Sequence, residues 1–98
     1  MLFGVSCKKD PNACIEVGET SVSTGVPVSF TSCSENALSY EWYIEGPSGA
    51  PENSMGWSDE GFSNTFTITG TYIITLHAYE DFSFDGQVST AESSIVIN

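Results

Sequence analysis

The sequence predicts an all-β fold, a two-layer sandwich of about seven short strands. Three observations carry that expectation. Apolar and polar residues alternate in short runs, the period of a strand with one buried face. Gly, Pro, Asn and Ser stand between the runs, where turns are needed. No segment keeps a helical period over a useful length, and at 98 residues and 10.5 kDa the chain has room for one hydrophobic core.

The strands are expected near 14–17, 20–23, 27–33, 38–45, 62–68, 71–79 and 88–97. In Tyr40-Glu41-Trp42-Tyr43-Ile44-Glu45 the alternation turns Tyr40, Trp42 and Ile44 inward and leaves Glu41, Tyr43 and Glu45 facing water. In Tyr72-Ile73-Ile74-Thr75-Leu76-His77-Ala78 the inward set is Tyr72, Ile74, Leu76 and Ala78, so His77 is expected to point to solvent. Gly46 to Gly61, which holds Pro47, Gly49, Pro51, Asn53 and Gly56, is expected to be the longest loop without structure of its own. A second loop, Glu80 to Gly86, joins the last two strands.

Thirteen acidic residues oppose two basic ones, giving a net charge of -11. The two lysines are neighbours at Lys8 and Lys9, so no Lys or Arg occurs from Asp10 to Asn98. Binding nucleic acid requires cations that displace its counterions, and this chain is expected not to bind it. The acidity serves solubility, with cation binding or the steering of a partner as the alternative. The composition, 40% hydrophobic and 15% charged, is that of a folding chain, and no apolar run is long enough to span a bilayer.

Two of the three cysteines flank a hairpin-like stretch. Cys14 precedes Ile15-Glu16-Val17, Cys33 follows Val28-Ser29-Phe30-Thr31-Ser32, and turn formers lie between. A register that sets Val17 opposite Phe30 brings Glu16 to Thr31, Ile15 to Ser32 and Cys14 to Cys33. Ile15, Val17, Val28 and Phe30 then share the core face, and the bridge clips the open end of the pair from the other side. Such a closure is worth about 3 kcal/mol through the unfolded state and implies an oxidising compartment. Two unpaired, buried thiols are the competing arrangement.

The run Met1-Leu2-Phe3-Gly4-Val5-Ser6-Cys7-Lys8-Lys9-Asp10 resembles the end of a bacterial lipoprotein signal peptide, of the Bacteroidetes type in its Cys-Lys-Lys-Asp sequence. A small residue, Ser6, precedes the cysteine, as in that family. The resemblance implies lipidation of Cys7, whose alternative is an ordinary thiol on a frayed terminus. It also implies that the apolar stretch is the remnant of a longer leader, since a working signal needs about 7 to 15 apolar residues. Residues 1–12 are thus expected to be signal remnant and linker, and 13–98 the folded domain.

Taken in order, Gly25-Val26-Pro27-Val28-Ser29-Phe30, Ser39-Tyr40-Glu41-Trp42-Tyr43-Ile44 and Gly70-Thr71-Tyr72-Ile73-Ile74-Thr75-Leu76 resemble a polycystic-kidney-disease (PKD) domain over residues 13–98. That resemblance implies an immunoglobulin-like β-sandwich of an extracellular protein; together with the signal-peptide resemblance it leads to the expectation of a lipoprotein anchored through Cys7 at the outer membrane or cell surface, favoured as a monomer. Its function would be that of a non-catalytic spacer, adhesion or protein-interaction domain, its partner a surface protein or glycan. In surface lipoproteins the family often carries a cysteine pair placed like Cys14 and Cys33. Two family features differ here. The acidic turn after the tryptophan strand is replaced by Trp42-Tyr43-Ile44-Glu45-Gly46-Pro47, and a histidine-x-tyrosine run by Asn64-Thr65-Phe66, so no role that rests on that turn carries over.

Candidate chemistry is sparse. His77 is the one histidine, mid-strand and without a cysteine or histidine at ligand spacing, so neither a zinc site nor a hydrolytic triad is expected. The acids form no evident pair for glycoside hydrolysis, and neither enzyme activity nor a cofactor is expected. Glu80, Asp81 and Asp85, beside Gly86, are close enough in sequence for a calcium loop but lack EF-hand spacing; solvated loop acids are the alternative. Trp57, Phe82 and Phe84, with Met55, are apolar residues among turn formers. They either close the ends of the sandwich or stack on a ligand, and the second role would make the chain a carbohydrate-binding module of a polysaccharide-processing protein.

Overall fold

A computed structural model describes residues 10–49, 56–81 and 86–98. Cys7, Met55, Phe82, Phe84 and Asp85 lie outside the described residues, as does the side chain of Trp57. The described chain forms eight strands and no helix: β1 (Ile15–Val17), β2 (Ser21–Val22), β3 (Pro27–Ser32), β4 (Ser39–Glu45), β5 (Gly56–Trp57), β6 (Gly61–Thr65), β7 (Gly70–Tyr79) and β8 (Val88–Ile97). They build two sheets, β1-β3-β6 and β2-β8-β7-β4-β5. This is the all-β sandwich that the alternation predicts.

The first strands divide between the layers. β1 runs antiparallel to β3, and after Gly18, whose N–H donates to the Ser29 carbonyl, the chain crosses to the other sheet. There β2 pairs parallel with β8, while the other pairings are antiparallel. The register of β1 on β3 is the expected one, Ile15 to Ser32, Glu16 to Thr31 and Val17 to Phe30.

Where the two sheets face each other, strand alternation collects the apolar side chains. Val28 and Phe30 of the smaller sheet meet Trp42, Ile44, Tyr72, Ile74, Leu76, Ile95 and Ile97 of the larger one, all almost fully buried. Rings join the layers. Phe62 stacks on Phe30 at 4.9 Å and presents an edge to Trp42 at 5.3 Å, while Phe66, just past β6, lies 4.5 Å from Tyr72. Such pairs add to the burial of their large surfaces. The Trp42 indole N–H donates to the Asp59 carbonyl at 2.8 Å, so the largest core side chain leaves no polar atom stranded.

At the start of β7 the Tyr72 hydroxyl donates to the Ile68 carbonyl, four residues upstream, at 2.8 Å. A tyrosine at this place, bonded back to the preceding turn, is the tyrosine corner of immunoglobulin-like sandwiches. Gly46 makes room for it, because a Cβ there would stand 2.3 Å from the Tyr72 ring.

One expectation is corrected. The span from Gly46 to Gly61 is not free of structure, because Gly56 and Trp57 pair with Tyr43 and Trp42 on the open edge of β4. The edge supplies unpaired backbone groups, and β5 meets those beside Trp42 and Tyr43. His77 does point to the solvent side, on the outer face of the larger sheet, where the rings on either side leave it half-buried. Contact with the sandwich also begins just before Ala13, with Pro11 buried and Asn12 bridged to Glu35.

Candidate binding face

The cysteine clip comes first in the chain. Cys14 and Cys33 are joined by a disulfide with their Cα atoms 4.9 Å apart, as the β1–β3 register requires. Backbone pairing continues through the bridge, since the Cys33 N–H donates to the Cys14 carbonyl at 3.0 Å. Around it stands a hydroxyl network that the sequence did not signal. The Ser32 hydroxyl donates to Ser34 Oγ at 2.8 Å, and Ser34 Oγ accepts the Cys14 N–H at 3.0 Å. The β1–β3 pairing sets these serines beside Cys14.

The larger sheet has an outer face built by three adjacent strands. Antiparallel registers align Glu45, Ile73 and Ser94 in one row, Tyr43, Thr75 and Glu92 in the next, then Glu41, His77 and Thr90, and finally Tyr79 with Val88. Residues opposite one another in a sheet share a face. Tyr43 is 39% exposed and Val88 50%, while Ile73, His77 and Tyr79 are half-buried. The His77 ring is edge-on to Tyr43 at 5.3 Å and tilted to Tyr79 at 6.4 Å. Opposite Tyr43 on β5 stands Gly56, which has no side chain to lean over the ring.

Polar groups order this face. The Tyr79 hydroxyl donates to Glu41 Oε1 at 2.7 Å, and that bond, reinforced by burial and by the carboxylate charge, pushes the Tyr79 phenol up to about 12. Partial burial, then the same carboxylate, raises Tyr43 as well. On the opposite side of the sheet burial and the charge of Glu60 raise Tyr40. An open depression of about 210 Å³, lined by Ile73, Glu92, Ser93 and Ser94, lies along β7 and β8.

The predicted loop sites are only partly described. Trp57 belongs to β5 through its backbone, and Phe82 and Phe84 lie outside the described residues. Of the calcium candidates, Glu80 and Asp81 turn carboxylate oxygens to Gly86, 2.7 and 2.9 Å from where a Cβ would stand; Asp85 is not described. The Glu80 N–H also donates to the Gln87 carbonyl at 2.9 Å, closing the loop neck. Among the described residues no three His, Cys, Asp or Glu side chains gather to hold a metal ion.

Fold and site together define a disulfide-clipped, acidic β-sandwich with an aromatic and carboxylate-bearing outer sheet face. No protein-family model and no curated protein matches the chain.

Proposed function

We propose that this chain is a PKD-type, non-catalytic domain that works outside the cytoplasm as a spacer or interaction module, anchored in its native gene product by a lipid on Cys7. The observation that carries the reading is the Cys14–Cys33 bridge clipping an immunoglobulin-like sandwich, because a structural disulfide belongs to an oxidising compartment. The Tyr72 corner and the Gly70-Thr71-Tyr72 strand start support the family resemblance. The experiment is expression of the complete gene in a host that processes lipoproteins, followed by cell fractionation and mass spectrometry of the cysteines. An acylated Cys7 in the membrane fraction, with Cys14 and Cys33 oxidised, is the expected result. Reduced cysteines in a cytoplasmic fraction would overturn the reading.

A second reading, a carbohydrate-binding module, draws on the Tyr43, His77 and Tyr79 rings and on the sequence candidates Trp57, Phe82 and Phe84. Its test is a glycan array probed with the wild type and with Trp57→Ala and Phe82→Ala/Phe84→Ala variants. A glycan whose binding is lost in those variants favours it; an array with no hit counts against it.

A further inference from the structure

The outer face of β4, β7 and β8 combines two features that strand alternation alone does not require. It is the water side of the sheet, yet Tyr43, Val88 and Val96 remain 39%, 50% and 42% exposed there, with Ile73, His77 and Tyr79 partly covered among them. Interleaved with these are the carboxylates of Glu41, Glu45 and Glu92. From Ile73 to Tyr79 the face runs about 20 Å along the strands and about 10 Å across them, at ordinary strand rise and spacing. That is large enough for an extended peptide or the side of a small domain.

The charge of the chain says what kind of surface fits. From Asp10 to Asn98 it contains no lysine or arginine, so no such side chain of the sandwich can answer these carboxylates. Glu41 is held in place by the Tyr79 hydroxyl at 2.7 Å, with one oxygen engaged beside the aromatic rings of this face. Tyr43, with Gly56 opposite it on β5, presents an open ring. A guanidinium stacks on a tyrosine face and forks onto a carboxylate, while the aliphatic stem of a lysine or arginine lies along apolar side chains. The depression bounded by Ile73 and Glu92 offers both an apolar wall and a carboxylate rim.

Resting on the reading of the chain as an interaction domain, we infer that the outer face of β4, β7 and β8 docks a protein partner through a segment rich in lysine and arginine. Tyr43 and Ile73 receive the stems and planar heads, and Glu41, Glu45 and Glu92 receive the charges. The net charge of -11 speeds the encounter, and the arrangement of rings and carboxylates selects this face over the rest of the acidic surface.

The test uses the isotope-labelled, oxidised protein at physiological salt, titrated with an arginine- and lysine-rich peptide, with a neutral peptide of equal length, and with a panel of neutral and acidic oligosaccharides. Backbone NMR shifts are expected to move with the basic peptide alone and to cluster on Tyr43, Thr75, His77, Thr90 and Glu92. Glu45→Gln/Glu92→Gln should weaken binding at least tenfold. Glu16→Gln/Glu19→Gln, which removes the same charge from exposed positions elsewhere, should weaken it less than twofold. All four residues are exposed, so both variants are expected to fold, and matched melting curves confirm it. Shifts spread equally over Glu16, Glu19 and Asp59, equal losses in the two variants, or movement of the face by oligosaccharides instead would overturn the inference. Any of these leaves the compartment test on Cys7, Cys14 and Cys33 untouched. Reduced cysteines beside a face-specific peptide response would instead remove the extracytoplasmic reading and leave the docking face standing.

Discussion

The Tyr79 hydroxyl on β7 donates to Glu41 Oε1 on β4 at 2.7 Å, joining two residues 38 positions apart on the outer face of the larger sheet. The bond needs the phenol proton, and this fixes its pH dependence. With Tyr79 raised to about 12 from an ordinary 10.0, its stabilising contribution is fully present below pH 10 and is lost as pH climbs from about 10 to about 12. The direction follows because the native state holds the proton that the unfolded state releases. Near-ultraviolet tyrosinate titration should show a phenol ionising near 12, absent in Tyr79→Phe. In Glu41→Gln it should ionise closer to 10, and an unchanged profile in that variant would contradict the assignment.

The Tyr72 corner provides the second prediction. Tyr72→Phe keeps the buried ring and removes the donor to the Ile68 carbonyl, at an expected cost of about 1 kcal/mol. Gly46→Ala should cost more, about 1 to 3 kcal/mol, because the new methyl would stand 2.3 Å from the Tyr72 ring, which core packing holds in place. Urea denaturation of the two variants checks the order. Gly46→Ala proving the milder change would show that the ring can yield.

Removing the bridge through Cys14→Ala/Cys33→Ala should destabilise the domain by about 3 kcal/mol, the loop-closure effect expected for a sequence separation of 19 residues. The same loss should follow when the wild type is unfolded in the presence of a strong reductant. Equal midpoints with and without reductant would show that the β1–β3 register alone carries the stability.

Asn64 offers a gain rather than a loss. It stands opposite Val28 in the β3–β6 register, and its buried amide nitrogen finds no hydrogen-bond partner among the described residues. Asn64→Val removes that unmet donor and places a β-branched residue in a strand. A stabilisation of about 1 kcal/mol is expected, within the usual cost of an unsatisfied buried polar group. A lower melting temperature for the variant would refute it.

Much of the fold was legible because its strands are long enough to alternate. In β4 and β7 the buried apolar residues are the ones that period 2 selects, Trp42 and Ile44 on one strand and Tyr72, Ile74, Leu76 and Ala78 on the other, while the buried Ser39 falls outside that period. The β1–β3 register was legible for a narrower reason. Matching apolar positions and a shared cysteine pair leave one alignment that satisfies both. β5 was not legible, since two residues carry no period and Gly56 none of the β-branched signal. The PKD resemblance was read from three strand motifs, and the docking face from none, since its residues come from three strands far apart in the chain.

Alternation along each strand is thus what the sequence by itself determined: which side chains turn inward, and a register of β1 on β3 in which Cys14 can meet Cys33. Only the tertiary structure decided the neighbours. A strand's period says which face a residue takes but not which strand lies beside it, because backbone hydrogen bonds are the same for every partner. The crossing of β2 to β8, the meeting of Tyr43, His77 and Tyr79, and the bond from Tyr79 to Glu41 were settled by packing the two sheets around one core. Hydrophobic burial is non-directional and fixes those pairings only when the whole sandwich forms.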